Sequence, residues 1–379
     1  MAEQRSRPAE RLVIKVGTNV LTRSNQQLDY NAIHQIVEQV GALRKAGHKV
    51  LLVTSGAAGA GRALTSFRQE KHPLVRRQMM TAVGQPRLMQ LYTDFFREHN
   101  VLVAQALLTR SDFADRAHFL SIRNVIEGLL VGDVLPIVNE NDVVASEEIT
   151  FGDNDYLAAA VASMIGAHRL FLFTTAGGFF IGGEPSRNPD ARLVREAPLI
   201  TPEMWASCEV SLLEGGRGGM LSKLKSVEMA TSFGIETHIV PGREPNVVPR
   251  ILAGEAHGSR FLPRANKVKG YRQWLRFGAM AVGRVVVDEG AAKALLNNKS
   301  LLPAGIAKVE GAFAEGDVVE IYSRDMEKLG VGLMNFSSTD LEAMIRGERP
   351  RDRTEAIHKD RMVLMLPEGK TPPNAAKPA

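Results

Sequence analysis

Short, nearly unbroken apolar runs recur between longer stretches with helical patterning, and this alternation constrains the fold more than any other feature. Leu12–Thr18 reads as a buried strand ending in a tight glycine turn, and Lys49–Thr54, Val101–Leu108, Val134–Val138, Arg169–Thr174 and Glu236–Val240 read as further strands. Between the first two lies a helix, Asn31–Ala46, with Ile33, Ile36, Val37, Val40 and Leu43 on one face. Helices are also expected over Leu74–Arg97, with Gly84-Gln85-Pro86 as an internal break, and over Ala117–Leu130. Strands that are apolar along their whole length are covered on both faces, as in parallel sheets. Repeated β-α units of this length define a doubly wound, mostly parallel sheet sandwiched by helices.

A chain of 379 residues exceeds one average core, so two domains are expected. The character changes after Gly254. Arg260, Arg264, Lys267, Lys269, Arg272 and Arg276 form a basic connector. Short segments follow at Gly283–Val287, Ala307–Val309, Asp317–Tyr322 and Val331–Asn335, punctuated by Gly and Pro. They suit a small β-rich domain of about eighty residues. From Pro367 the composition is that of a disordered tail. The net charge of +5 admits anionic ligands without arguing for nucleic acid. The single cysteine, Cys208, excludes an internal disulfide framework and fits a reducing cytoplasm. No apolar run is long enough to span a bilayer, and the polar MAEQRSRPAE start has no signal-peptide core.

Polar chemistry gathers at the ends of these strands. Pro136–Tyr156 leaves its strand into Asn139, Glu140, Asn141 and Asp142, then closes with Gly152-Asp153-Asn154-Asp155 before a helix carrying Leu157, Ala160, Val161, Met164 and Ile165. In open α/β sheets the carboxyl edge is where ligands bind; a solvated loop with an Asp or Asn helix cap is the plain alternative. Lys15 is unusual inside an apolar strand: it either snorkels to water or delivers an ammonium to that edge, beside amides around Gly17. Ser55–Gly61, all small residues, lets a ligand approach the backbone. Gly215–Gly219, interrupted by Arg217, precedes a helix bearing Lys223 and exposes amide donors at its positive end. No Walker A or zinc-binding HExxH motif occurs, and no Ser-His-Asp arrangement is evident. Two cations with glycine-lined amides suit phosphoryl transfer, which depends on positioning and charge stabilisation. A carboxylate nucleophile needs no general base at neutral pH, because its unperturbed pKa is about 4.3.

The motifs IKVGTNVL (14–21), VTSGAAGAGR (53–62), AVGQPRLMQLY (82–92), LLTRSDFADRAHFLSIRN (107–124), PIVNENDVVA (136–145), FGDNDYLAA (151–159) and GGMLSKLKSVEMA (218–230) resemble the amino-acid kinase family. Within it they are closest to the glutamate-phosphorylating members, whose long forms carry a C-terminal PUA domain resembled by VDEGAAKALLNNKSLLPAGI (287–306). The resemblance covers nearly the whole chain. It implies an amino-acid-kinase-type sheet over 1–258, a basic linker over 259–275, a PUA domain over 276–358 and a tail over 359–379. It also implies ATP-dependent phosphorylation of the side-chain carboxylate of L-glutamate, the first step of proline synthesis. By motif, Lys15 and Lys223 would neutralise the transferring group and Asp155 would orient them. Ser55, Asn139, Asp142, Asp153 and Asn154 would bind glutamate. Lys15, Gly17, Thr174, Thr175, Arg217, Gly218, Gly219, Met220 and Lys223 would bind ATP, with Mg2+ riding on its phosphates. The resemblance further implies feedback inhibition by proline, a homodimer or homotetramer, a PUA route to RNA, and no membrane association.

Three positions depart from the family pattern on the nucleotide side: Thr174-Thr175 for Thr-Asp, Arg217 for the threonine of Gly-Thr-Gly-Gly-Met, and Glu184-Pro185-Ser186 for Asp-Pro-Arg. Two alternatives stay open: a family kinase acting on another carboxylate and, given these changes, the PUA resemblance and the basic connector, an RNA-binding regulator with a degenerate kinase domain.

Overall fold

A computed structural model describes residues 8–25, 27–65, 67, 69–109, 112–113, 116–144, 154–213, 219–264, 281–348 and 354–364. The chain forms two compact units, one within 1–112 and 117–267, the other formed by 113–116 and 268–379.

The strands of the first unit are β1 (Arg11–Val16), β2 (Lys49–Val53), β3 (Val103–Leu108), β4 (Leu135–Glu140), β5 (Arg169–Thr174), β6 (Phe180–Ile181), β7 (Arg192–Leu193), β8 (Glu196–Ala197), β9 (Glu236–Pro241) and β10 (Ser259–Phe261). Eight of them make one sheet in the order β3-β4-β2-β1-β5-β9-β10-β8. From β3 through β9 every pairing is parallel, as the apolar runs require, and β10 runs antiparallel to β9. β10 opens the stretch expected as a linker, and its Arg260 is paired with Glu196 and Glu236. The excursion after β5 contains a hairpin, with β6 paired antiparallel to β7.

β1 lies between β2 and β5, with Lys15 in register with Val53 on one side and Leu172 on the other. The chain builds β2, β4 and β3 to one side of β1 and β5 and β9 to the other. The carboxyl end of β1 is therefore a topological switch point, the crevice where ligands bind in open sheets. On one face Leu12, Ile14 and Val16 pack with Ile33, Ile36, Val37 and Val40 of the helix Tyr30–Lys45. Strand alternation sends Lys15 to the other face, where the helix Asn154–Met164 packs on β1 and against the helix Gly219–Ser232.

Gly84-Gln85-Pro86 does not break the helical region: a single helix runs from Pro73 to Arg97 with Pro86 inside it. An internal proline removes one backbone hydrogen bond and usually disfavours the helix. Backbone-close packing offsets that cost. A Cβ on Gly84 would fall 1.9 Å from the carbonyl oxygen of Ala57, and one on Gly61 would fall 1.8 Å from that of Met80. The two glycines let this helix lie directly on the helix Ala57–Leu64.

The second unit carries β11 (Gly283–Val287), β12 (Ile306–Glu310), β13 (Val318–Tyr322), β14 (Lys328–Leu333) and β15 (Met362–Leu364) in the order β12-β11-β13-β14-β15. Two helices accompany the sheet. Asp288 caps Glu289–Leu296 by accepting from the Ala291 amide at 2.7 Å, and Ser337 caps Ser338–Arg346 by accepting from the Asp340 amide at 3.2 Å. Val285, Val287, Leu295, Ile306, Ile321 and Leu341 belong to its separate core. The expected tail from Pro367 and the connector beyond Arg264 lie outside the described residues.

Candidate active site

Lys15 does not snorkel to water. Its side chain is buried, and Nζ lies 2.6 Å from Oδ1 of Asp155. Lys223 reaches the other carboxylate oxygen, with Nζ 2.8 Å from Oδ2. The three charges come from three elements: the carboxyl end of β1, the first turn of Asn154–Met164 and the early turns of Gly219–Ser232. Burial works to raise the Asp155 pKa, but the two ammoniums outweigh it and hold the carboxyl well below the usual range. The group stays ionised and bridges two cations that would otherwise repel each other. Two ammoniums and one carboxylate leave a net positive charge at the sheet edge, where a phosphoryl group can be held.

Beside this triad runs a chain of amides. Asn154 Nδ2 donates to Ser55 Oγ at 2.8 Å and to Asn139 Oδ1 at 3.1 Å. Asn139 Nδ2 donates to Gln85 Oε1 at 2.8 Å, and the Glu140 backbone N–H donates to Asn139 Oδ1 at 2.9 Å. Asn139 and Glu140 are the last residues of β4 rather than loop residues, which keeps Asn139 buried and fixed. Ser55 stands just after β2, and Gly56 follows with a φ of 97°, a left-handed conformation that a side chain would strain.

Asp142 sits nearby, pinned by the long helix: Arg77 lies 3.1 Å from Oδ1, and Thr81 donates to Oδ2 at 3.3 Å. Gln85, Arg77 and Thr81 received no role from the sequence. Gln85 lies within a resemblance-carrying segment, but a polar residue on a helix shows no partner until the helix is docked. On the nucleotide side, the turn after β1 passes close to the ammonium: a Cβ on Gly17 would come 3.4 Å from Lys15 Nζ. Thr174 ends β5 and accepts from the Ala176 amide at 3.3 Å, while Thr175 is exposed just beyond it. Gly219 and Met220 begin the helix that carries Lys223. Asp153, Arg217 and Gly218 lie outside the described residues.

Residues 10–241 match the model of the amino acid kinase family, and residues 283–351 match the PUA domain. The chain belongs to the amino acid kinase family. It is 37% identical over 364 residues to a glutamate 5-kinase of Pasteurella multocida, covering 93% of this chain and 98% of that protein. It is 38% identical over 367 residues to the glutamate 5-kinase of Moorella thermoacetica, covering 94% and 97%. Within the family the chain groups with the glutamate 5-kinases.

Proposed function

We propose that the protein transfers the γ-phosphoryl group of ATP to the side-chain carboxylate of L-glutamate, giving L-glutamyl 5-phosphate for proline biosynthesis. The observation that carries this reading is Asp155 held between Lys15 and Lys223, beside the amide chain of Ser55, Asn154 and Asn139. A carboxylate oxygen of glutamate forms the new bond to phosphorus as the bond to the β-phosphate oxygen breaks, and ADP leaves with the electron pair. Lys15 and Lys223 stabilise the charge that passes between the two oxygens, and Asp155 keeps both cations in place. The substrate carboxylate is already ionised, so no proton needs to be removed.

Ser55, Asn139, Asn154, Asp142 and Asp153 would hold glutamate. The two aspartates suit its α-ammonium, directly or through a network; Asp142 would then exchange part of its contact with Arg77 for the substrate. Gly17, Thr174, Thr175 and the turn from Arg217 to Met220 would hold ATP. Both oxygens of Asp155 already face ammoniums, so a metal ion there would compete with Lys15 and Lys223. Mg2+ would instead be held by the ATP phosphates, where it neutralises part of their charge. Proline would inhibit at a site overlapping that of glutamate, and the assembly would be a dimer or tetramer in the cytoplasm. Among the described residues no helix is long and apolar enough to cross a membrane. The intact triad favours a kinase over an RNA-binding regulator with a degenerate kinase domain.

Hydroxylamine trapping of the acyl phosphate tests the reading, with ATP, magnesium and L-glutamate in the presence and absence of proline. N-acetylglutamate and aspartate serve as competing acceptors. Glutamate-dependent hydroxamate is the expected result. Its absence with folded protein at saturating ATP would sink the assignment, and preference for another acceptor would move the substrate.

A further inference from the structure

Gln85 is buried on the helix Pro73–Arg97. Its Oε1 accepts from Asn139, but its Nε2 is buried without a partner among the described residues. A buried amide satisfied at one end only is less stable than an apolar side chain of similar shape. The residue is therefore explained by what it holds rather than by its own stability.

What it holds has a direction. The oxygen and nitrogen of an Asn side chain are assigned from the hydrogen bonds around them. Here one neighbour leaves no choice: the Glu140 backbone N–H can only donate, and it faces Asn139 Oδ1. The Asn139 nitrogen is therefore the atom that meets Gln85. Asn139 Oδ1 then receives Asn154 Nδ2, and that same nitrogen donates to Ser55 Oγ. With its oxygen already accepting, Ser55 has its hydroxyl hydrogen left to donate. The relay thus runs from a backbone amide of β4 to a hydroxyl donor after β2, the polarity that a carboxylate needs.

We propose that Gln85 is a positioning residue for the carboxylate substrate: by accepting from Asn139 it closes the amide relay and keeps the Ser55 hydroxyl available as a donor. The proposal rests on reading this site as the one that binds a carboxylate amino acid. Gly84 and Pro86, on either side, belong to its setting, since the close approach at Gly84 seats this turn of the helix on the first turn of Ala57–Leu64.

The test is steady-state kinetics on full-length Gln85→Met and Gln85→Glu, read by hydroxamate formation, with thermal melting as a folding control. In Gln85→Met the KM for glutamate should rise about tenfold, while the KM for ATP stays within about twofold. In Gln85→Glu, whose carboxylate also accepts from Asn139, the KM for glutamate should return to within about threefold of wild type. A merely structural role would move both KM values or only the melting point. An unchanged KM for glutamate in folded Gln85→Met overturns the proposal, and so does a Glu variant no better than Met. Should the Met variant not fold, Gln85→Ser, too short to reach Asn139, is judged by the same criteria. Wild-type protein run alongside separates the two readings, because inactivity of wild type with glutamate would count against the proposed function itself.

Discussion

Lys15 Nζ and Asp155 Oδ1 lie 2.6 Å apart in a site where both side chains are almost wholly buried. The lysine is the next-to-last residue of a strand at the centre of the sheet, and the aspartate lies in the first turn of the helix that packs on that strand. Neither charge would be tolerated there alone. Together with Lys223 they form a unit in which each charge has a partner and one positive charge is left for the phosphoryl group.

Asp155→Asn should lower kcat by about a hundred- to a thousandfold, because both ammoniums lose the group that orients them. The melting temperature should fall as well, since two buried cations are left facing each other. Hydroxamate formation and thermal melting measure the two effects. A loss of less than about fivefold would show that the lysines are positioned by something else.

Glu236 ties together Arg169, His238 and Arg260 at the amino edge of the sheet, remote from the triad. Burial raises its pKa, but hydrogen bonds from His238 and Arg260 and the charge of Arg169 bring it down to about 2. The unfolded chain takes up that proton first, so the stabilisation is complete above pH about 4.5 and is lost as pH falls toward 2. Discounted for partial exposure, it amounts to about 1–2 kcal/mol. Denaturant unfolding of wild type and Glu236→Gln should therefore show a gap that narrows across this window. A gap independent of pH would refute the assignment.

Gly84→Ala should destabilise the protein by about 1–3 kcal/mol, because its new methyl group meets the Ala57 carbonyl and the two helices must part. The shift carries Gln85 away from Asn139, so the KM for glutamate should rise more than the KM for ATP. Urea unfolding together with kinetics tests this. Stability equal to wild type would mean that the helices separate without cost.

Arg217 stands where the family pattern has threonine, next to Gly218 and Gly219. If it supplies a phosphate contact, Arg217→Thr should weaken ATP binding by about ten- to a hundredfold, the range for loss of one charge-assisted hydrogen bond. Equilibrium titration with a non-hydrolysable ATP analogue reads this directly. Unchanged or tighter binding would count against the contact.

The parallel sheet, and the gathering of lysines, carboxylates and amides at its carboxyl edge, were legible in the residues themselves. Near-continuous apolar runs specify strands covered on both faces, and a lysine within such a run demands a partner. The amino acid kinase family was legible in the same motifs. That Asp155 would partner Lys15 was implied by the family resemblance alone, because periodicity assigns a residue to a face but does not say what lies across it. Asp155 is 140 positions away in the sequence, and only the packing of Asn154–Met164 onto β1 brings the two together. The same reason explains the misread helix: Gly84 and Pro86 look like a break when judged by local propensity, and only contact with Ala57–Leu64 makes them a docking surface. Gln85 had no visible role for the same cause. The chain's own pattern determined the sheet and the chemistry available at its edge; tertiary packing decided which charges neutralise each other and which amide sets the direction of the relay, because those depend on distances between elements that no local pattern encodes.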